Sequence, residues 1–186
     1  MTNYQCKHNL QYWHNDPYLG LGAGAHGFVT PDLTGFQNPR GLNDDPKSCR
    51  YSNVMSPTAY ISRMESGENW ANVPTVLKDG EINVNQPSGR SFTRPKQFPF
   101  SPALGESILI DRKTEMDETM LTGMRLTKEG VGFERFRKRF GVGIEEVYAK
   151  EIEELKGKKL IEVDDERVRL TKGGRLVANW VFEKFV

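Results

Sequence analysis

Hydrophobic residues recur at helical spacing in the last third of the chain. Their pattern predicts three helices, at about 114–125, 133–140 and 144–156, with Gly141 and Gly157 as the stops of the second and third. The apolar positions of these helices are, in order, Met116, Met120 and Met124, then Phe133, Phe136 and Phe140, then Ile144, Val147, Tyr148, Ile152 and Leu155.

A hairpin and a last helix follow in the pattern. Residues 159–163 and 167–170 flank the turn signal 164–166, which predicts a pair of strands. A further helix is predicted after the segment 171–174, and its expected buried face is Leu176, Val177, Trp180, Val181 and Phe185. This order of helices, two-stranded wing and helix over residues 107–186 predicts a winged-helix-like module.

The first 66 residues have a sparser pattern. It predicts a short strand at Tyr18–Leu21 and a helix over about 57–66, begun by Pro57 after Ser56. The expected apolar face of that helix is Ala59, Tyr60 and Met64. Because so few elements cannot close a core, residues 1–66 are predicted to form one edge of a larger fold.

Residues 67–106 form a connector between these parts. They contain Pro74, Pro87, Pro95, Pro99 and Pro102, half of the ten prolines of the chain, and proline disfavours long regular structure. A hairpin around 78–80, with 81–84 as its second strand, is the one element expected here. We interpret the segment as an extended crossover or a disordered insertion.

Composition narrows the class of protein. The 186 residues include 26 Lys plus Arg and 25 Asp plus Glu, for a net charge of +1, so no basic excess points to nucleic acid. No apolar run approaches the roughly 18 residues of a membrane span, and the polar N-terminus does not resemble a signal peptide. The two cysteines, Cys6 and Cys49, exclude a disulfide scaffold and a four-cysteine metal site. A cytoplasmic protein without a membrane span is expected.

The segment CKHNLQYW holds the first candidate site. His8 can ligate a metal or haem iron through a neutral imidazole nitrogen, and Cys6 can do so as a thiolate. Tyr12 and Trp13 offer flat faces suited to a porphyrin, and Asn9 can orient a ligand. The alternative is that these side chains pack at the junction of a strand and a loop.

A glycine-rich stretch, Gly20–Gly27, is the second candidate. Small residues allow a ligand to approach the backbone, whose N–H groups can bind a phosphate, a carboxylate or a ribose. Because the stretch does not follow the spacing GxGxxG and no helix begins at 28–31, a Rossmann nucleotide site is disfavoured. The alternative is tight packing of strands.

The run Arg135–Phe140 contains four basic residues, which can contact phosphates. Residues 107–186 nevertheless hold 17 Lys plus Arg and 16 Asp plus Glu, and five glutamates lie between 145 and 154 on the helix that would read DNA. DNA binding is therefore disfavoured against a solvated helix face. No GxSxG, HExxH or Walker motif occurs, and the acidic pairs Asp44–Asp45 and Asp164–Asp165 fit turns.

Taken together, the motifs resemble the oxygen-independent coproporphyrinogen III oxidase family of radical S-adenosylmethionine (SAM) proteins, and in particular its haem chaperone branch. The signature HNxxYW is matched by His8, Asn9, Tyr12 and Trp13, and the GxGAxAH-like element by Gly20, Gly22, Ala23, Gly24, Ala25 and His26. Arg50, Tyr51, Asn53, Tyr60 and Gly67 resemble the family's next helix region. The resemblance continues in the C-terminal part at 118–131, Phe133, Phe136, Phe140, Gly141, Leu160, Ile161, Leu170, Thr171 and Gly174.

The resemblance implies an α+β fold: the C-terminal edge of a partial α/β barrel in residues 1–66, the connector 67–106, and a winged-helix-like domain in 107–186. Relatives of full length hold a [4Fe–4S] cluster through a CxxxCxxC motif and bind S-adenosylmethionine. In the chaperone branch the protein binds haem and passes it to acceptor proteins. The family's haem ligand corresponds to His8, with Asn9, Tyr12 and Trp13 beside it, and Gly22–His26 correspond to the S-adenosylmethionine end of the barrel.

The chain departs from the family at the cluster motif. Cys6 and Cys49 lie 43 positions apart, so a cluster site of three cysteines cannot form from this sequence. The expectation is a C-terminal fragment whose partners are haem or porphyrin, haem-acceptor proteins and the missing half of the barrel, with no oxidase activity of its own. The alternative is a non-enzymatic winged-helix module that binds a protein or, less favoured, DNA.

Overall fold

The computed structural model describes residues 6–30, 48–66, 75–76 and 101–186. Contacts between residues divide the chain into two compact units. One unit is Pro17–Arg112, and the other combines the residues up to Asp16 with Lys113–Val186. The predicted division at 66/67 and 106/107 concerns domains and stays a prediction.

The unit Pro17–Arg112 is built on a four-stranded sheet. Its strands are β1 (His26–Val29), β2 (Ser48–Asn53), β3 (Thr75–Val76) and β4 (Leu104–Ile110), in the spatial order β1-β2-β4-β3. β2 pairs antiparallel with both β1 and β4, while β3 runs parallel to β4. The buried apolar cluster of this sheet is Val29, Cys49, Tyr51 and Leu104.

The sheet depends on close packing between β1 and β2. Gly27 lies opposite Tyr51 in the register, and a Cβ at Gly27 would come within 2.2 Å of the Tyr51 ring. The helix α2 (Pro57–Ser66) follows, with Ser56 Oγ accepting a hydrogen bond from the backbone N–H of Ala59 at 3.3 Å. Serine before proline at the first helical position explains why this helix was predictable from sequence.

Several expectations for this unit were wrong. The strand predicted at Tyr18–Leu21 is absent: only Tyr18 forms an isolated bridge, to Phe28, and the strand lies at His26–Val29. Arg50, Tyr51 and Asn53 lie on β2 and not in a helix region. α2 begins and ends as predicted, but no residue of it is buried and Met64 is exposed. β4 begins inside the predicted connector, and the hairpin expected at 78–84 lies outside the described residues.

The second unit is mostly helical with a small sheet. Its helices are α1 (Lys7–Trp13), α3 (Arg112–Gly123), α4 (Phe133–Phe140), α5 (Ile144–Val147), α6 (Ala149–Gly157), α7 (Lys172–Leu176) and α8 (Ala178–Phe182), followed by a 3₁₀ turn at Glu183–Phe185. Its strands are β5 (Val131–Gly132), β6 (Ile161–Val163) and β7 (Arg167–Leu170), all antiparallel, in the order β5-β7-β6.

The core of this unit confirms the methionine and phenylalanine pattern. Met120 and Met124 have no exposed surface, and the rings of Phe136 and Phe140 lie 4.6 Å apart. Gly141 ends α4 with φ of 68°, a left-handed conformation that glycine adopts without steric cost. The hairpin of β6 and β7 is confirmed as well.

Two predicted helices are interrupted. The helix expected at 144–156 breaks at Tyr148, between α5 and α6. The last helix breaks at Val177, and the predicted apolar face is confirmed only after the break. Val181 and Phe185 are buried as predicted, together with Phe182, whereas Leu176 is 88% exposed and Val177 and Trp180 are also exposed. The break rotates the following residues, which moves the buried stripe. None of the helices among the described residues has the length and apolar character to cross a membrane.

Candidate functional site

Helix α1 carries the first predicted cluster. Cys6 precedes the helix and is exposed, and none of the seven helical residues is buried. His8 and Tyr12 lie one turn apart, so their side chains share a face. Their ring centroids are 5.0 Å apart and the ring planes meet at 87°, an edge-to-face arrangement. The helix thus presents an imidazole and a phenol ring together at an exposed surface.

The other members of the cluster have different surroundings. Asn9 is exposed next to His8. Trp13 is rotated by about 140° from His8 around the helix axis, and the guanidinium of Arg125 lies 5.7 Å from its ring. The same guanidinium lies 4.8 Å from the ring of Phe182. The structure therefore brings His8 and Tyr12 together. Trp13 lies on another side of the helix and contacts Arg125 instead.

The turn after α1 is held by side chains from distant parts of the sequence. Asn15 is buried, has φ of 51° and donates a hydrogen bond to Thr119 Oγ1 at 3.2 Å. Asp16 accepts two hydrogen bonds from one nitrogen of Arg135, at 2.6 and 2.7 Å. His14 Nε2 lies 3.2 Å from Glu129 Oε1.

Arg139 completes this turn. Its Nε donates to Glu115 Oε1 at 2.8 Å, and one terminal nitrogen donates to the carbonyl oxygen of His14 at 3.4 Å. Beside these groups lies a cleft of about 200 Å³. It is lined by Trp13, His14, Thr119, Gly123, Glu129, Gly130, Val131, Gly132, Arg135, Phe136, Arg139, Glu166 and Arg167. These contacts are not predictable from the sequence, because Asp16 and Arg135 are 119 positions apart and no spacing links them.

The basic run on α4 is used within the protein. Arg135 pairs with Asp16, Arg139 with Glu115 and Arg137 with Glu146, the last at 3.6 Å. The sequence favours a solvated helix face for this run, and the structure adds that three of its four basic side chains form ion pairs within the unit.

The glycine-rich stretch forms a turn that leads into β1. Gly22 and Gly24 have positive φ, 98° and 68°. The backbone N–H of Gly20 donates to the Tyr51 hydroxyl at 3.1 Å, and that of Gly24 donates to the Val54 carbonyl at 2.9 Å.

Asn53 completes the contacts of this turn. Its amide donates to the carbonyl oxygens of Gly20 and Gly22, at 3.3 and 2.9 Å. His26 is exposed at the start of β1. Burial raises the pKa of Tyr51, whose hydroxyl oxygen accepts the hydrogen bond from Gly20. Part of the turn's polar backbone is therefore bound internally, which fits the tight-packing alternative at Gly20 and Gly24.

The two cysteines have opposite environments. Cys6 is exposed, whereas burial raises the pKa of the Cys49 thiol to about 12. Because a thiolate is the metal ligand, Cys49 is unsuited to that role. Within the described ranges, no group of three or more His, Cys, Asp or Glu side chains is arranged to hold a metal ion.

Comparison with known proteins places these features in context. Residues 110–177 match the family described as the HemN C-terminal domain. The chain is 26% identical over its whole length to the heme chaperone HemW of Lactococcus lactis, and 25% identical over 98% of its length to that of Bacillus subtilis. It spans 35% of the length of each of these relatives.

One solved structure is similar over a large part of the chain. It is coproporphyrinogen III oxidase from Escherichia coli, described as a radical SAM enzyme. The TM-score is 0.42 at 11% identity, and the match covers 91% of this chain and 28% of that one.

Proposed function

Because this chain corresponds to the C-terminal part of a coproporphyrinogen III oxidase-like radical SAM protein of the haem chaperone branch, we propose that it binds haem and passes it to acceptor proteins. The relatives named above are heme chaperones by name. One structural observation supports specific residues for this role: His8 and Tyr12 lie together, exposed, on α1, with ring centroids 5.0 Å apart. The protein is then a carrier for which haem is cargo.

His8 supplies the chemistry in this proposal. A neutral imidazole nitrogen is a common axial ligand of haem iron. Tyr12, one turn away, supplies an aromatic surface for the porphyrin, and Asn9 and Trp13 complete the proposed set of contacts. Since α1 has no buried residue, a planar ligand can approach His8 without displacing a packed core.

The exposure of His8 also supports transfer of haem to another protein. A haem held by one exposed histidine leaves much of the macrocycle open to a second protein, which can offer its own axial ligand to the iron. A deeply buried site would retain its cargo. The surface of α1 therefore suits handover better than permanent storage.

Residues outside this sequence would carry out the radical chemistry. The [4Fe–4S] cluster and S-adenosylmethionine would belong to the remainder of the parent protein, whose barrel would also be a partner of this chain. Gly22, Ala23, Gly24, Ala25 and His26 are proposed to lie near the S-adenosylmethionine end of that barrel. Gly22 supports this role, because a Cβ built there meets nothing within 4 Å. A winged-helix-like C-terminal domain and a cytoplasmic location complete the proposal.

Haem titration of the full 186-residue chain tests the proposal. The His8→Ala variant should lose the Soret shift of the axially ligated complex and bind haem at least tenfold more weakly, since it removes the iron ligand. Lys7→Ala on the same exposed helix is the matched control and should bind like the wild type. An unchanged Soret band in His8→Ala would exclude axial ligation by this residue.

A further inference from the structure

We infer that Arg135 and Asp16 are positioning residues for the haem-binding helix α1, and this inference rests on the proposed function. Neither residue belongs to the cluster around His8. They act through the turn after α1, which they fix to α4 of the same unit. The helix would carry His8 as the iron ligand, while the ion pair would fix the position of the helix and therefore of His8.

Helix α1 needs support from outside itself. It is seven residues long and buries none of them. Isolated helices shorter than about 12–15 residues are marginal in water, and most helices in proteins gain stability from an apolar face packed on a core. α1 buries no side chain, so contacts at its ends contribute to its order.

Within the described residues, the N-terminal end of α1 lacks a side-chain cap. Cys6 occupies the position before the helix and makes no side-chain capping hydrogen bond. Serine, threonine, aspartate or asparagine at that position would satisfy one of the free backbone N–H groups. The position before α1 therefore adds no side-chain hydrogen bond to the helix.

The C-terminal end is held by three residues in succession. Arg139 donates to the carbonyl oxygen of His14, where a positive charge is favourable at the end of a helix. The Asn15 side chain is bonded to Thr119. The Asp16 carboxylate accepts two hydrogen bonds from Arg135, at 2.6 and 2.7 Å, distances typical of charge-assisted bonds.

Of these contacts, the pair of Asp16 and Arg135 is the one best suited to experiment. The two side chains are 36% and 48% exposed, so either can change without opening the core. Arg137 on the same helix provides a matched control. It pairs with Glu146 at 3.6 Å and its side chain is 66% exposed.

The experiment has a first arm that needs no haem. Hydrogen exchange of the full chain is followed by mass spectrometry over residues 6–16 in the wild type, Arg135→Ala and Arg137→Ala. Loss of an exposed ion pair changes a local equilibrium by about two- to fivefold. We expect the exchange of the α1 amides to speed up by this factor in Arg135→Ala and to stay unchanged in Arg137→Ala. In the charge-exchanged double variant Asp16→Arg with Arg135→Asp, exchange should return toward the wild-type rate.

The second arm is haem titration of the same proteins. Affinity should fall about two- to fivefold in Arg135→Ala, with a weaker axial-ligand signature in the Soret region, and should recover in the double variant. Unchanged exchange in Arg135→Ala would overturn the anchoring, and faster exchange with unchanged haem affinity would overturn the positioning role. Failure of the proposed function is read separately, from an unchanged haem spectrum in His8→Ala.

Discussion

The hydroxyl of Tyr148 donates a hydrogen bond to Oδ1 of Asp117 at 2.5 Å, between side chains 31 positions apart in the sequence. The bond joins the break between α5 and α6 to α3. Tyr148 is 2% exposed, and its ring meets that of Phe185 edge-to-face at 5.4 Å. Asp117 also pairs with Lys113. One side chain therefore connects the apolar core of this unit to a polar pair at its margin.

Tyr148→Phe should lower the free energy of unfolding by about 1–3 kcal/mol, because it removes a hydrogen bond to a charged acceptor and preserves the ring. Urea denaturation at pH 7 measures the change. Tyr12→Phe, at a side chain that is 39% exposed, is the control and should stay within about 0.5 kcal/mol of the wild type. Equal stability of the Tyr148→Phe protein would show that the bond contributes nothing.

The same bond predicts a dependence on alkaline pH. Burial, and then the hydrogen bond and charge of Asp117, raise the pKa of Tyr148 above its ordinary value near 10. A group whose pKa is higher when folded stabilises the fold below the unfolded value, and that contribution is lost as the pH rises above it. The stability difference between wild type and Tyr148→Phe should therefore be constant up to about pH 9 and shrink above pH 10. A difference that grew above pH 10 would contradict this assignment.

Gly174→Ala should destabilise the C-terminal unit. A Cβ at Gly174 would lie 1.9 Å from the carbonyl oxygen of Leu160, so backbone has to move to admit a methyl group. Overpacking of this kind costs about 1–3 kcal/mol. Thermal melting followed by circular dichroism should show the loss.

Gly157→Ala is the matched control for this change. A Cβ at Gly157 meets nothing within 4 Å, and alanine is a better helix former than glycine. Its melting temperature should equal or exceed that of the wild type. If both variants melted alike, crowding at Gly174 would not govern the stability of this region.

Substitutions in the last 15 residues should separate the buried members of the predicted apolar face from the exposed ones. Phe185→Ala should cost about 3–5 kcal/mol, because the side chain is 1% exposed within the core. Leu176→Ala, at a residue 88% exposed, should change stability by less than about 0.5 kcal/mol. Urea denaturation compares them, and a cost of core size at Leu176 as well would restore the continuous helix that the sequence predicts.

The two cysteines should react very differently with iodoacetamide. Cys6 is exposed, whereas Cys49 is 2% exposed and its pKa is raised to about 12 by burial. At pH 8 in the native protein, Cys6 should be alkylated and Cys49 should remain unmodified until denaturant is added. Peptide mass spectrometry gives both extents, and native labelling of Cys49 at the rate of Cys6 would show that β2 opens readily.

The parts of the fold that sequence predicts well are those whose apolar period matches one local structure. Met116, Met120 and Met124 mark α3 because a helix places them on one face, and Gly141 marks the end of α4 because it adopts a left-handed conformation. The prediction of one continuous last helix fails because its apolar period extends across a break in the structure. Trp180 fits the period of a continuous helix, but the break at Val177 rotates the residues that follow. Tertiary packing, which the local pattern does not encode, determines which of them are buried.

The strands and the site were harder to predict for other physical reasons. β2 reads Ser-Cys-Arg-Tyr-Ser-Asn, with no β-branched residue, and it is specified by its pairing with β1 and β4. His8 and Tyr12 were identified as candidates from their types, yet the sequence did not place them on a helix. The side chains that hold α1 come from α3 and α4, over a hundred positions away, and such contacts leave no local pattern.

The length of α1 has a thermodynamic consequence. A seven-residue helix without a buried side chain is ordered largely through its C-terminal contacts. A ligand that favours the ordered helix must then strengthen those contacts by the same factor by which they strengthen the ligand, since coupling between two equilibria is reciprocal. If the proposed function holds, haem on His8 and the salt bridge at the other end of this helix would be thermodynamically linked, and an acceptor protein that competes for Arg135 would promote release of haem from His8.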